Sequence, residues 1–224
     1  MFEPAGSGIL LAVLIDIQKT PIETRYRLLT GSVMPRPIAW VSTISKDGVL
    51  NLAPFSFFNV VSSDPAILVF SPGFKLVMQD GKKVTVKKDT LKNIQETGEF
   101  VVNVVTYALA ENMNLTSGEF ESHISEFEKA GLTAAPSHMV RPPRVAESPI
   151  SMECSLYQLI EFGQSPGAGN LVMGEIKCMH IDDAVLKDGR LESDALDLVG
   201  RLGGSFYTTT RDKFSLPRPQ VEPV

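Results

Sequence analysis

Residues 38–44 (IAWVSTI) alternate apolar with small or polar side chains and are rich in β-branched and aromatic types, the period-2 pattern of a strand. Asp47-Gly48 follows, a pair favoured in tight turns, so the chain is predicted to return as a second arm from Val49 through residues 51–58 (NLAPFSFF). Pro54 lies inside that arm. Lacking an N–H, it belongs at a sheet edge, a bulge or a strand boundary, and a strand broken there exposes backbone. Ser63-Asp64-Pro65 marks a turn, residues 66–70 (AILVF) read as a fully buried strand, and Ser71-Pro72-Gly73 ends it. The clearest helix start is Asp89-Thr90, followed by Leu91 and Ile94 and stopped by Gly98, with Asp89 or Thr90 expected to cap it. Residues 99–106 (EFVVNVVT) predict a strand, residues 107–114 a helix with Ala108, Leu109 and Met113 on one face, and residues 127–132 a shorter helix. The proline-rich stretch 136–149 is expected to be irregular. Beyond it, residues 151–162 and 171–181 predict two long strands joined by a loop, 163–170, with three glycines, which reads either as a mobile turn or as a binding lid. Strands dominate, and no βαβ alternation carries a G-x-G-x-x-G, so an antiparallel barrel with peripheral helices fits better than a dinucleotide-binding fold.

With 224 residues, 43% of them hydrophobic and 21% charged, the chain can bury a sizeable core, and one main domain is expected. A net charge of −5 and a pI of about 5.3 supply no basic field for neutralising phosphates, which argues against nucleic acid as a partner. Two cysteines, Cys154 and Cys178, are too few for a disulfide framework and fit a reducing cytoplasm. His123, His138 and His180 stand far apart without metal-ligand spacing, so no protein-built metal site is expected, although distant ligands could still converge. The apolar run 9–15 (ILLAVLI) is too short to span a bilayer, which takes about 20 residues, and no Lys or Arg precedes it as in a signal peptide. It reads as an extra strand or helix, or an overlong start, in an extension covering residues 1–25. Residues 216–224 hold three prolines and read as an extended arm or a disordered end, so the main domain is placed at 26–214 with a tail from 215 to 224.

Four segments carry possible chemistry. In Gly31 to Thr43, Pro35 and Pro37 hold Arg36 at a rigid strand start, suited to a phosphate or carboxylate, a solvated surface turn being the plainer alternative. Asn51 to Phe58 combines a proline-interrupted backbone with Ser56 and three aromatic rings, the mix a flat heteroaromatic ring needs; Phe55, Phe57 and Phe58 would serve equally as core. Lys87-Lys88-Asp89-Thr90 places two cations and a hydroxyl at a helix N-terminus, where free N–H groups and the dipole favour an anion. In residues 200–207 (GRLGGSFY), adjacent glycines let Arg201 and Tyr207 approach closely, or form a simple tight turn.

In this order, P-R-P-I-A-W-V-S-T, D-G-x-x-N-L-A-P-F-S-x-F, D-P-x-x-x-x-F-S, K-D-T-x-x-N-I-x-x-T-G-E-F-V-V-N, G-E-I and R-L-G-G-x-x-Y together resemble the flavin reductase-like, FMN-binding split-barrel family, also named flavoprotein oxygenase or nitrilotriacetate monooxygenase component B-like. The resemblance covers about Tyr26 to Phe214. It implies a six-stranded antiparallel split barrel of Greek-key type, a homodimer with FMN near the interface, and no membrane or nucleic-acid partner. Carried over by position, Ser42 and Thr43 lie near the flavin; Ala53, Pro54, Phe55, Ser56 and Phe57 run along its ring and ribityl chain; Ser71, Lys88 and Thr90 face the phosphate, with Asp89 counted among the cofactor-binding residues; Arg36 and Arg201 contact cofactor or partner subunit. Asn170, where several relatives place a His, and Tyr207 are assigned to the substrate face, with residues 114–123 and 163–170 shaping it. The implied chemistry is hydride transfer from NAD(P)H to flavin, with electrons passing on to free flavin, oxygen or a partner oxygenase, and it requires no catalytic acid or nucleophile. An electron carrier or flavin store, and an oxygenase acting on a bound organic substrate, are the alternatives.

Overall fold

The computed structural model describes residues 13–79 and 81–220. Most of the apolar run 9–15 therefore lies outside the described residues, as do the last four positions of the tail, while residues 211–220 carry no helix or strand. The first long helix, α1, spans Ile22–Ser32 and so crosses the boundary expected between extension and domain.

Nine of the strands are five residues or longer. The Asp47-Gly48 turn joins β1 (Ala39–Ile44) to β2 (Leu50–Phe55) in an antiparallel pair, with Gly48 at φ 87°, a conformation that costs glycine little. Next come β3 (Phe58–Ser63), β4 (Ala66–Phe70), the hairpin β5 (Phe74–Gln79) and β6 (Lys82–Lys87), and β7 (Glu99–Asn103). Of the two-residue strands β8 (Ala134–Ala135) and β9 (Arg144–Val145), β8 precedes the proline-rich stretch and β9 alone interrupts it. The long pair is β10 (Ile150–Glu161) and β11 (Asn170–Ile181), and the short pieces β12 (Leu186–Lys187), β13 (Arg190–Leu191), β14 (Val199–Arg201) and β15 (Tyr207–Thr209) close the list of strands. Helices are few: α2 (Asp89–Thr97), α3 (Ala110–Leu115), α4 (Glu126–Lys129) and α5 (Ser193–Leu196).

Seven strands form one antiparallel sheet in the order β2-β1-β7-β10-β11-β4-β3, where six were expected. The extra strand arises because the return arm after Asp47-Gly48 breaks: β2 and β3 are separated only by Ser56-Phe57, yet they occupy opposite edges of the sheet. Laid flat, seven strands would put those edges roughly 29 Å apart, whereas three peptide links span only about 11 Å. The sheet must curl until its edges nearly meet, and no ladder pairs β2 with β3 among the described residues. The result is a barrel split at Ser56-Phe57.

β1 is buried on both faces, which its alternation alone did not require. Ala39 and Val41 join Phe55, Phe70, Leu91, Phe100, Val102 and Val172 in the cluster inside the curl, while Ile38 and Trp40 join Leu52, Met113 and Phe127 under α3 and α4. Each large side chain so buried contributes about 1.5–3 kcal/mol. Gly174 permits the closest packing: a Cβ there would sit 2.2 Å from Phe100 Cζ. The indole of Trp40 donates to Thr116 Oγ1 (2.8 Å), fixing the segment after α3 against the barrel.

Candidate functional site

The split in the barrel opens into a continuous trough along β2. Three adjoining cavities of about 390, 220 and 90 Å³ share Pro54 in their walls, and together they reach the size range of small-molecule sites. β2 is an edge strand here. Its Leu52 N–H is taken by the Glu126 carboxylate (3.0 Å), and Pro54 has no N–H to leave unpaired, so the exposed edge carries few orphan donors.

At one end the trough meets the start of α2. Lys88 occupies the N-cap position, and no side chain caps the helix, leaving the first-turn N–H groups open to another partner. The Lys88 ammonium makes no ion pair among the described residues and lies 5.8 Å from the Phe55 ring centroid. Burial lowers its pKa below the ordinary lysine value; Glu119 opposes the shift and Lys75 adds to it. Asp89 does not cap the helix: it is the first helical residue, and its carboxylate is engaged by Lys75 (2.7 Å) and Ser122 (2.6 Å). Thr90, buried, accepts from Asn51 Nδ2 at 3.0 Å and lines the trough beside Lys88. Burial pushes the Glu126 carboxyl up, against the Leu52 N–H and its own, and the charge of Asp89 adds to the rise. A lysine with no direct ion pair among the described residues, at an uncapped helix N-terminus, is thus the positive pole of the trough.

The middle and far end are built by the split itself. Ser56 and Phe57 line it with Ser71, Phe74 and the loop residues Pro166 to Gly169. Gly169 comes so close that a Cβ would lie 2.6 Å from Ser71 Oγ, so this loop is packed onto the trough wall. Tyr26 of α1 borders the two larger cavities, and Arg201 and Tyr207 close the end, the guanidinium 4.4 Å from the Tyr207 ring centroid.

Of the residues singled out by sequence, Ala53, Pro54, Phe55, Ser56, Phe57, Ser71, Lys88, Asp89, Thr90, Arg201 and Tyr207 line this one trough. Pro166 to Gly169, Asn114 and Thr116 to Phe120 supply its walls. Four residues are placed elsewhere. Ser42 and Thr43 are fully buried: the Ser42 hydroxyl donates to Pro143 O, and Thr43 Oγ1 accepts from Asn93. Arg36 is an internal tie rather than a free cation, its guanidinium donating to the carbonyls of Thr30 (2.6 Å), Val33 (2.8 Å) and Leu202 (3.1 Å) and to Ser56 Oγ (3.3 Å). Asn170 is buried and donates to Pro72 O, so it holds the strand ends together instead of presenting a face. Tyr26, Lys75 and Glu126 went unrecognised, and Asn51 was placed in a candidate segment without a role of its own. Of these, Lys75 had a signal in the β-branched alternation of residues 84–87 (VTVK), whose strand pairs with residues 74–79 in the β5–β6 hairpin.

Residues 30–195 match the flavin reductase-like domain family. An uncharacterized protein of Aquifex aeolicus is 41% identical over 192 residues, covering 85% of this chain and 92% of its own. Among solved structures, nitrilotriacetate monooxygenase component B from Bacillus cereus superposes with a TM-score of 0.83 at 34% identity, over 92% of this chain and 98% of that one. The 2-nitrobenzoate 2-nitroreductase of Pseudomonas fluorescens does so with a TM-score of 0.81 at 36% identity, over 95% and 99%.

Proposed function

The chain belongs to the flavin reductase-like family, and we propose that it is an FMN-dependent oxidoreductase that takes electrons from NAD(P)H and passes them to free flavin, oxygen or a partner oxygenase. The observation that carries this reading is the polarity of the trough: the Lys88 ammonium, without an ion pair among the described residues, stands at the uncapped start of α2 at one end, and the rings of Phe55, Phe57 and Phe74 with the backbone and hydroxyl of Ser56 line the split. A mononucleotide has matching parts: a dianionic phosphate for Lys88 and the first-turn N–H groups, and a flat ring whose faces need apolar cover and whose edge needs backbone and hydroxyl partners. Thr90 and Ser71 would bind the phosphate end, Ala53 to Phe57 would run beside the ring with Ser56 as the side-chain partner, and Tyr207 and the loops 114–120 and 163–169 would bound its open face. When bound, FMN would supply the hydride-accepting chemistry; the chain's own contribution is to bind, orient and exclude water. No acid or base from the chain is assigned to the transfer.

A homodimer accompanies this reading. It is supported by exposed apolar side chains on edge strand β3 (Val60, Val61) and on and just after β10 (Tyr157, Ile160, Phe162), which a second copy could cover. The partner oxygenase rests on likeness to a protein named as component B of a monooxygenase. The test is anaerobic addition of NADH, then NADPH, to FMN-loaded protein. Bleaching of the flavin absorbance by either nucleotide supports the oxidoreductase reading and names the donor, while flavin that stays oxidised with both transfers the assignment to an electron carrier or to an oxygenase with another reductant.

A further inference from the structure

Far along β11 from the trough, three side chains of the kinds that bind transition metals meet on one face of the sheet. Glu153 of β10 stands directly opposite Cys178 of β11 in register, and His180, two residues on, lies on the same side as Cys178. Cys178 is eight residues from Asn170, roughly 26 Å down the strand. The sequence spacing of 25 and 2 residues conceals this convergence, which the antiparallel pairing alone produces.

We propose that Glu153, Cys178 and His180 form a binding site for a divalent transition-metal ion of the zinc class. One ligand atom from each residue lies within 4.8 Å of the others. Tetrahedral zinc, with bonds of about 2.0–2.3 Å, sets its ligand atoms roughly 3.5 Å apart, so movements on the order of 1 Å complete the geometry. The carboxylate is already aimed by an outer shell. Glu153 is fully buried, and its oxygens accept from the backbone N–H groups of His138 (2.7 Å), Met139 (2.6 Å) and Val140 (3.2 Å), the kind of support that orients metal-bound carboxylates. The Glu153–His180 contact (2.5 Å) shows that imidazole and carboxylate already share one point, which the metal takes over as common ligand partner. Charge closes as well: one thiolate and one carboxylate neutralise a divalent ion, so a partly buried site is left without net charge. Thiolate and imidazole select zinc-like ions over magnesium or calcium. Cys178 and His180 are half-buried, which leaves a path for the ion and a fourth position for water. Cys154, by contrast, is sealed in the barrel core, where burial pushes its thiol up and out of ligand chemistry.

The experiment is titration of Zn²⁺ alone into the reduced full chain against a chromophoric chelator, with thermal melting and thiol-labelling followed in parallel. The expected result is one Zn²⁺ per chain, a raised melting temperature, and protection of Cys178 from a thiol reagent. Cys178→Ser and His180→Ala should each weaken uptake by more than the roughly 10–100-fold typical of losing an outer-shell partner, and His123→Ala, an exposed histidine elsewhere, should leave it unchanged. Cys178→Ser changes one atom of a half-exposed side chain, so its fold is retained and far-UV circular dichroism verifies this. No uptake by the wild-type chain at micromolar zinc, or uptake that survives both variants, overturns the proposal. Neither result bears on the flavin reading, which depends on other residues.

Discussion

Replacing Lys88 by Met should separate cofactor binding from folding stability, because the two respond with opposite sign. A charge-assisted bond from a partly buried ammonium to phosphate is worth about 2 kcal/mol, so Lys88→Met should weaken FMN binding about 30-fold. Lys75→Met removes a nearby charge that Asp89 already neutralises at 2.7 Å and should cost less than about fivefold. In the flavin-free protein the charged lysine is disfavoured by burial, its folded-state value lying below the ordinary 10.5. Folding therefore binds fewer protons than the unfolded chain in the window between those values, and stability rises with pH there. Lys88→Met abolishes that rise and leaves the flavin-free protein at least as stable as wild type at neutral pH. The assay is quenching of FMN fluorescence for affinity, with urea denaturation of flavin-free protein for stability. Unchanged affinity in Lys88→Met, or equal losses in both lysine variants, would refute the assignment of Lys88 as the positive pole.

Other consequences follow from the same contacts. A Ser56→Ala, Thr90→Ala double variant loses two hydroxyl partners worth about 1 kcal/mol each and should purify with markedly less FMN; full yellow occupancy counts against that pair. Gly174→Ala forces a Cβ to 2.2 Å from Phe100 Cζ in the core and should lower stability by about 1–3 kcal/mol in urea, so an unaltered midpoint would contradict the packing. Burial raises the Glu126 carboxyl above 4.5, so the stability linked to its protonated form is fully present below 4.5 and is lost as pH rises through the higher folded value. Glu126→Gln keeps an acceptor for the Leu52 N–H without that loss, and at pH 7 its melting temperature should equal or exceed that of wild type, a drop of several degrees being the contrary result.

Local signals carried the frame of the molecule further than its wiring. Asp47-Gly48 fixed the first hairpin, Pro54 announced an interrupted edge, and Gly98, at φ 73°, ended α2 where expected. The same edge argument located the trough, since backbone left open beside a proline is where a ligand can replace a strand. What sequence could not disclose depends on partners distant in the chain. Ser42 and Thr43 have the look of ligand groups, yet Pro143 and Asn93 consume their hydroxyls. Arg36 between two prolines reads as a waiting cation, whereas three carbonyls from α1, its C-terminal flank and Leu202 hold it. The seventh strand was hidden because the chain crosses the whole curled sheet within Ser56-Phe57, a step that no periodicity records.

The central claim, that the split of this barrel is a flavin site, is tested most directly by titrating FMN into the purified, flavin-depleted protein and recording absorbance and fluorescence. The account predicts saturable binding of one FMN per chain, with quenched fluorescence and a shifted visible band that Lys88→Met weakens. A protein that stays colourless after FMN addition and gel filtration would contradict it.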